Sequence, residues 1–382
     1  MRTHPKTTEP TVLEVLPALE TGGVEHVVAE LTEALAKEGF SALVASAGGR
    51  MVERIVATGG KHIVLPLDAR NPLALWRNAG RLARLIREKR VALVHAHSRA
   101  PAYSARLAAK WAGARFVTSY HSPYNEGFPG KRAYNSVMAS GERVVAVSRF
   151  LAELIAARHG TDPARIRVIP NGVDPVRFDP LAIDPTRRAE LAKAWRLPPG
   201  APVIMLPARL TRWKGQPVLI AALSRLARKD AVAVLVGSSQ GRAAYVDELQ
   251  RQAMQLGVAE RLRIVGEVAD MPTALSLADV VVSASTEPEG FGRAVIEAQA
   301  MERVMVAAAH GAVLETVRDR ETGFLVPPGN VEELAAALAF VLDLSAAERA
   351  AMGAAARRHV VAEYSVAAMQ ARHIALYREL LT

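Results

Sequence analysis

The stretch E-P-E-G-F-G-R-A-V-I-E-A-Q-A, residues 287–300, holds two carboxylates, Glu289 and Glu297, on either side of the turn Gly290-Phe291-Gly292. An apolar run precedes the turn and a helical pattern follows it. Glu289 is therefore expected in a loop, and Glu297 roughly 7 Å further along the helix axis. Such a pair could flank a glycosidic bond as acid and base, at roughly 5–5.5 Å in retaining or 6.5–9.5 Å in inverting hydrolases. It could equally be the acidic start of an ordinary helix. A third arrangement fits better: the helix N-terminus attracts an anion, so the two glutamates suit an extended ligand with a diphosphate in its middle. One end would offer sugar hydroxyls and the other ribose hydroxyls.

The cations for that diphosphate stand in P-A-R-L-T-R-W-K-G, residues 207–215. Arg209 closes an apolar run and Lys214 follows within the same loop, so a planar fork and a point charge can divide the phosphate oxygens. No Asp-x-Asp is present, so no divalent metal is expected to neutralise the diphosphate, and no cofactor either. Near the start of the chain, Gly22 and Gly23 lie between an apolar run and a helical segment, where backbone can approach a ligand. His97 and His121 each end an apolar run and could hydrogen-bond a sugar hydroxyl or a phosphate. His95 reads as structural, packed under a sheet.

Other signatures fail. G-F-G-R-A-V lacks the third glycine of the dinucleotide fingerprint, and neither a Walker A loop, a G-x-S-x-G elbow nor H-E-x-x-H occurs. The ten histidines show no metal spacing, and without cysteine there are no disulfides, thiolate nucleophiles or cysteine metal sites.

These residues are positioned by alternating short apolar runs and longer amphipathic segments. Apolar runs at 11–19, 40–46, 62–67, 91–97, 115–121 and 143–148 form one series. Runs at 201–210, 231–237, 262–266, 280–285 and 304–309 form a second, after I-R-V-I-P-N-G-V-D at 166–174 and a Pro-rich junction at 175–202. Alternation of this kind predicts parallel sheets covered on both faces, and two series predict two domains. In such sheets ligands bind beyond the carboxyl ends of the strands, where the chemistry-bearing residues fall.

The net charge of +10 is uneven: residues 1–180 carry 25 Lys and Arg against 16 Asp and Glu, whereas the remainder carry 23 against 22. One half is thus suited to an anionic partner. No nucleic-acid recognition motif accompanies the charge, and nucleic acid is not expected. The polar N-terminus lacks the apolar middle of a signal peptide, and no apolar run reaches membrane-spanning length. A cytoplasmic protein is expected, with a peripheral place on the inner face of the cytoplasmic membrane.

Taken together, G-G-V-E-H after the first strand, V-H-A-H-S, the strand-end His121, V-I-P-N-G-V-D, A-R-L-T-R-W-K-G and Glu289-x7-Glu297 resemble glycosyltransferase family four, in order, from about residue 11 to 380. That family has the GT-B fold: two Rossmann-like parallel-sheet domains facing across a cleft, with a C-terminal helix crossing back. The resemblance implies an acceptor domain at 1–175, joined by 365–382, and a nucleotide-sugar domain at 176–364. It implies that Arg209 and Lys214 bind the donor diphosphate and that Glu289 meets hydroxyls of the transferred sugar, assisted by the amides of Phe291 and Gly292. Glu297 would bind ribose, and the backbone near Glu267 and Val268 the base. Gly23 would approach the donor phosphate, and His121 would sit near the transferred sugar and acceptor.

The implied reaction is metal-independent, retaining transfer of a hexose-type sugar to a glycan or lipid-linked acceptor. The stretch 117–148 is similar to the branch acting on bacterial lipopolysaccharide or other envelope glycans. Where the family has Gly-x-Pro after the Glu-x7-Glu helix, this chain has Glu302-Arg303-Val304, while Gly311 and Glu315 are kept. The helical segment 71–90 sets Arg77, Arg81 and Arg84 on one face, suited to an anionic membrane. The alternatives are a sugar-nucleotide epimerase of the same fold and a catalytically silent glycan- or nucleotide-binding module.

Overall fold

The computed structural model describes residues 10–382. The polar start of the chain, on which the reading of its targeting rests, lies outside the described residues. Two compact units emerge: one runs to Asn171 and takes back Val366–Thr382, and the other is Gly172–Ser365. The sequence reading placed these boundaries at 175/176 and 364/365. The two crossings of the chain lie side by side, with the Val173 amide donating to the Tyr364 carbonyl at 2.8 Å.

The first unit holds β1 (Thr11–Val15), β2 (Ser41–Ser46), β3 (Lys61–Val64), β4 (Val91–Ala96), β5 (Arg115–Tyr120), β6 (Arg143–Ala146) and β7 (Ile166–Val168). They form an all-parallel sheet in the order β3-β2-β1-β4-β5-β6-β7. The second unit holds β8 (Val203–Pro207), β9 (Val232–Val236), β10 (Leu262–Gly266), β11 (Val280–Ser283), β12 (Val304–Ala308) and β13 (Gly323–Val326), also parallel, in the order β10-β9-β8-β11-β12-β13. Central strands such as Val-Ile-Met-Leu-Pro and Val-Ala-Val-Leu-Val are buried throughout, as expected when helices cover both faces of a parallel sheet. Fully burying each Val, Leu or Ile contributes roughly 1.5–3 kcal/mol.

The sequence reading did not separate β7 and β13 as strands. β7 has three residues before Ile169-Pro170, and β13 has four beginning on glycine, so neither shows a countable alternation. The final helix, Val366–Leu381, packs on the first helix, Gly23–Lys37, and belongs to the first unit.

Each sheet reverses its strand order once, between β1 and β4 and between β8 and β11. At such a switch point the flanking connections leave in opposite directions and open a crevice at the strand ends. Gly22-Gly23 and His97 follow β1 and β4; Arg209-Lys214 and Glu289 follow β8 and β11. The topology thus assembles residues that are far apart in sequence.

Candidate functional site

In the second unit the loops after β8 and β11 line one cavity of about 180 Å3, whose walls include Arg209, Lys214, Ser285, Glu289, Gly292 and Arg293. Lys214 Nζ lies 2.6 Å from Glu289 Oε2, with the lysine side chain only 15% exposed. The same ammonium lies 4.3 Å from the Trp213 ring centroid. Ser285 Oγ donates to the other carboxylate oxygen. Burial alone would raise the pKa of Glu289; the Lys214 charge and hydrogen bond, the Ser285 hydroxyl and nearby His310 outweigh it and hold the carboxyl below its ordinary value. Glu289 is therefore ionised at neutral pH. It can accept hydrogen bonds from hydroxyls but has no proton to donate, which removes it from the acid role of a glycosidase pair.

Backbone conformation fixes this geometry. Lys214 ends a single 3-10 turn, and Gly215 follows with φ +75°. A Cβ there would lie 1.8 Å from the Ala284 carbonyl oxygen, so the β8 loop can approach the β11 loop only with glycine. The Thr286 amide donates to the Trp213 carbonyl at 2.7 Å and joins the same loops. Gly311, at φ +61°, comes close enough to the Glu289 backbone that a Cβ would sit 2.7 Å from its oxygen. The Gly311 kept from the family pattern thus packs directly against the backbone of Glu289.

Several contributors have no signal in the sequence reading. Buried Gln216 donates from Nε2 to the Arg209 carbonyl at 2.9 Å and accepts from Tyr245 Oη at 3.1 Å, so these two hold the loop carrying Arg209. Ser285, Arg293 and His310 are the others. All follow strands or open helices beside the switch point, a placement that identifies them only once strand order is known.

The other expected residues stand on the turn after β11, on the helix that follows it, and after β10. Phe291 is buried and packs edge-on against Tyr364 at 5.8 Å, a wedge beneath the turn whose side chain faces protein. Gly290 is buried, and Gly292 caps the helix Arg293–Ala300 at φ +82°. Glu297 lies one helical turn beyond Arg293, with its Oε1 3.7 Å from Arg293 Nε. Arg293 reaches the cavity wall, whereas Glu297, Glu267 and Val268 are not among its lining residues. Glu267 and Val268 follow β10, at the edge of the sheet. The Glu302 departure is conformational: Glu302 adopts φ +57° just past the helix, a left-handed position that favours the family's glycine.

The first unit carries a buried polar network. Glu14, on β1, is in register with His95 on β4. Glu14 Oε2 lies 2.6 Å from His97 Nε2 and 3.3 Å from His95 Nδ1, and Tyr377 Oη donates to Glu14 Oε1 at 3.0 Å. His95 Nδ1 also meets Tyr377 Oη at 2.7 Å, and its Nε2 meets Ser119 Oγ at 2.8 Å. His97 Nδ1 meets His121 Nε2 at 3.0 Å. His97, expected to meet a substrate, is built into this network. Its ring is 1% exposed and spends both nitrogens on Glu14 and His121; of this pair only His121 is partly exposed.

Gly22 and Gly23 stand at the N-terminus of Gly23–Lys37, as expected. Although the sequence shows no metal spacing, the fold brings ligating atoms of Glu14, His95 and His97 within 4.8 Å of one another. Each of these atoms has a protein hydrogen-bond partner, and the group reads as a satisfied polar network.

Burial pushes His97 down to about 4, with the nearby His95 adding to it against the pull of Glu14, and burial pushes His373 down to about 4 as well. Both are neutral in the folded state. The unfolded chain binds more protons below about 6.5, so their stabilisation is complete above that pH and is lost as pH falls towards 4. Urea unfolding monitored on the first unit should show about 4 kcal/mol less stability at pH 5 than at pH 7. A flat profile over that range would show that these rings are not held neutral.

Two family profiles cover most of the chain: Glycosyltransferase Family 4 at residues 21–177 and Glycosyl transferases group 1 at 187–359. The GDP-mannose-dependent alpha-(1-6)-phosphatidylinositol monomannoside mannosyltransferase of Mycobacterium tuberculosis is 33% identical over 298 residues, 74% of this chain and 75% of that protein. A glycosyltransferase from Rickettsia africae superposes with a TM-score of 0.90 at 34% identity, covering 98% and 99% of the two chains. The fold also matches the Anabaena protein HepE, solved with UDP-glucose, at a TM-score of 0.85 and 23% identity over 97% and 99%. The chain belongs to glycosyltransferase family 4 and is a nucleotide-sugar-dependent glycosyltransferase of the GT-B fold.

Proposed function

We propose that this chain is a retaining, metal-independent hexosyltransferase that moves a sugar from a nucleoside diphosphate to a glycan or lipid-linked acceptor in cell-envelope synthesis. The convergence of Arg209, Lys214 and ionised Glu289 on one cavity at the β8–β11 switch point carries this reading. As the bond from the anomeric carbon to the phosphate oxygen breaks, negative charge grows on the diphosphate. Arg209 and Lys214 stabilise it within a preorganised site. Glu289 accepts hydrogen bonds from hydroxyls of the transferred sugar and orients its ring. The acceptor oxygen bonds to the anomeric carbon from the face the phosphate leaves, and the acceptor proton passes to that phosphate. Configuration is retained without a protein nucleophile. Glu297 is the proposed ribose ligand, the backbone at Glu267-Val268 meets the base, and Gly22-Gly23 and His121 serve the donor phosphate and the hydroxyls.

A relative named for GDP-mannose puts that donor first in a panel with UDP-glucose and ADP-glucose. A selective thermal shift with one donor, followed by a product whose anomeric configuration matches it by NMR, is the expected result. Silence across the panel, or an inverted product, would contradict the proposal. Conversion of the donor without acceptor would point to an epimerase.

The lipid-linked acceptor in the relative's name gives the basic first unit a role. The helix Pro72–Glu88 exposes Leu73 (56%) and Trp76 (63%) beside Arg77, Arg81 and Arg84, the composition of an interfacial membrane contact. Among the described residues no helix is long and apolar enough to cross a membrane. Peripheral docking on a cytoplasmic leaflet is proposed instead. Each cation near an anionic surface contributes about 1 kcal/mol, so replacing all three arginines by alanine should weaken binding to phosphatidylserine vesicles about a hundredfold. Unchanged vesicle binding would mark the helix as merely solvated.

A further inference from the structure

We infer that Glu14 and His97 are positioning residues that fix the tautomer of His121, holding its ring proton on Nε2 and leaving Nδ1 to accept from a ligand hydroxyl. The inference deepens the site proposed above, since it takes His121 as the residue that meets the ligand.

The direction of each hydrogen bond follows from the buried end. Glu14 is wholly buried on the central strand β1. Burial alone would raise its pKa; the contacts with His95 and His97 outweigh that and hold it below the ordinary carboxylate range. An ionised carboxylate only accepts. His97 Nε2, 2.6 Å away, must therefore carry the proton and donate it to Glu14. A neutral imidazole has one N–H, so His97 Nδ1 is an acceptor, and His121 Nε2, 3.0 Å away, must donate to it. Burial, together with His97, His95 and His373, keeps the pKa of His121 well below its usual value against the weaker pull of Glu14, so this ring too is neutral. Its proton is then committed to His97, and Nδ1 carries the lone pair. Tyr377 Oη occupies the other Glu14 oxygen, and His95 is turned towards Tyr377 and Ser119, which closes the inner end of the chain. A ligand hydroxyl can donate to His121 but cannot receive a proton from it.

The direct readout is 15N NMR of the histidine-labelled free protein at pH 7.5, with the His121 signals assigned by their loss in His121→Gln. A neutral ring protonated on Nε2 is expected in the wild type. Wild-type His121 protonated on Nδ1, or on both nitrogens, overturns the inference whether or not any variant folds. Glu14→Gln keeps the shape but introduces an N–H that can face His97. It is expected to shift a measurable fraction of His121 to the Nδ1–H form and to lower kcat about tenfold, the worth of one hydrogen bond, with donor KM within about twofold. Loss of activity with the tautomer unmoved would overturn the inference, since Glu14 would then act through stability alone. A shifted tautomer with activity unchanged would sustain the relay and remove His121 from the proposed site.

Discussion

Lys214→Ala is expected to lower kcat/KM by about a thousandfold or more while the protein stays folded. The side chain has two tasks: it neutralises Glu289 at 2.6 Å in the free protein, and it is proposed to face the diphosphate on which charge develops. Alanine removes both and leaves a buried carboxylate without its cation, a loss that in fully buried pairs reaches about 3–5 kcal/mol. The pH dependence separates these roles. With Lys214 present, Glu289 titrates below its ordinary value, so the stability it contributes is present above that value and fades in acid. Without Lys214, burial raises its pKa, and stability is instead lost as pH rises. The stability gap between wild type and variant should therefore widen from pH 4 to pH 7. Adding Glu289→Gln should close that gap without restoring transfer. If the single variant kept wild-type kcat/KM, Lys214 would be a structural cation only.

Gly215→Ala should be the most damaging conservative change in the loops after β8 and β11. The position combines a left-handed backbone with a Cβ that would stand 1.8 Å from the Ala284 carbonyl oxygen, a backbone atom that cannot swing aside. Relief requires the β8 loop to withdraw from the β11 loop, which breaks the Thr286–Trp213 hydrogen bond and pulls Lys214 from Glu289. A loss of about 2–4 kcal/mol in urea unfolding, with donor binding abolished, is expected. Gly241→Ala is the control: its φ is +78° with nothing within 4 Å of the added Cβ, so it should cost only about 1–2 kcal/mol and leave donor binding intact. Equal effects from the two substitutions would show that the contact between the loops is not essential.

The fold was legible because parallel strands buried on both faces write themselves as apolar runs between amphipathic helices, and the runs at 201–210 and 280–285 lead directly into the loops that line the cavity. Arg209, Lys214 and Glu289 were candidates because each closes or follows such a run, and the fold brings the three to one cavity. Strand order could not be read, since it depends on which runs pair. The meeting of β8 with β11, and of Glu14 with His95 and His97, therefore had no sequence signature. Glu14 was the least visible residue: a single carboxylate in Thr-Val-Leu-Glu-Val looks like the polar face of a strand, yet it is wholly buried. The partners of His97 were hidden for the related reason that a strand-end position fixes where a residue stands but not which way its ring turns. Gln216 and Tyr245 act through backbone and side-chain contacts at long sequence separation, which no local motif records.

Isothermal titration of GDP and UDP into the wild type, Arg209→Ala and Lys214→Ala proteins, all in EDTA, reaches the central claim most directly. The account expects one nucleotide to bind the wild type without any divalent cation, and each substitution to weaken it by about a hundredfold or more, as loss of a charge-assisted phosphate contact does. Binding that needs a divalent cation, or that is indifferent to both substitutions, would contradict a diphosphate held by these two side chains.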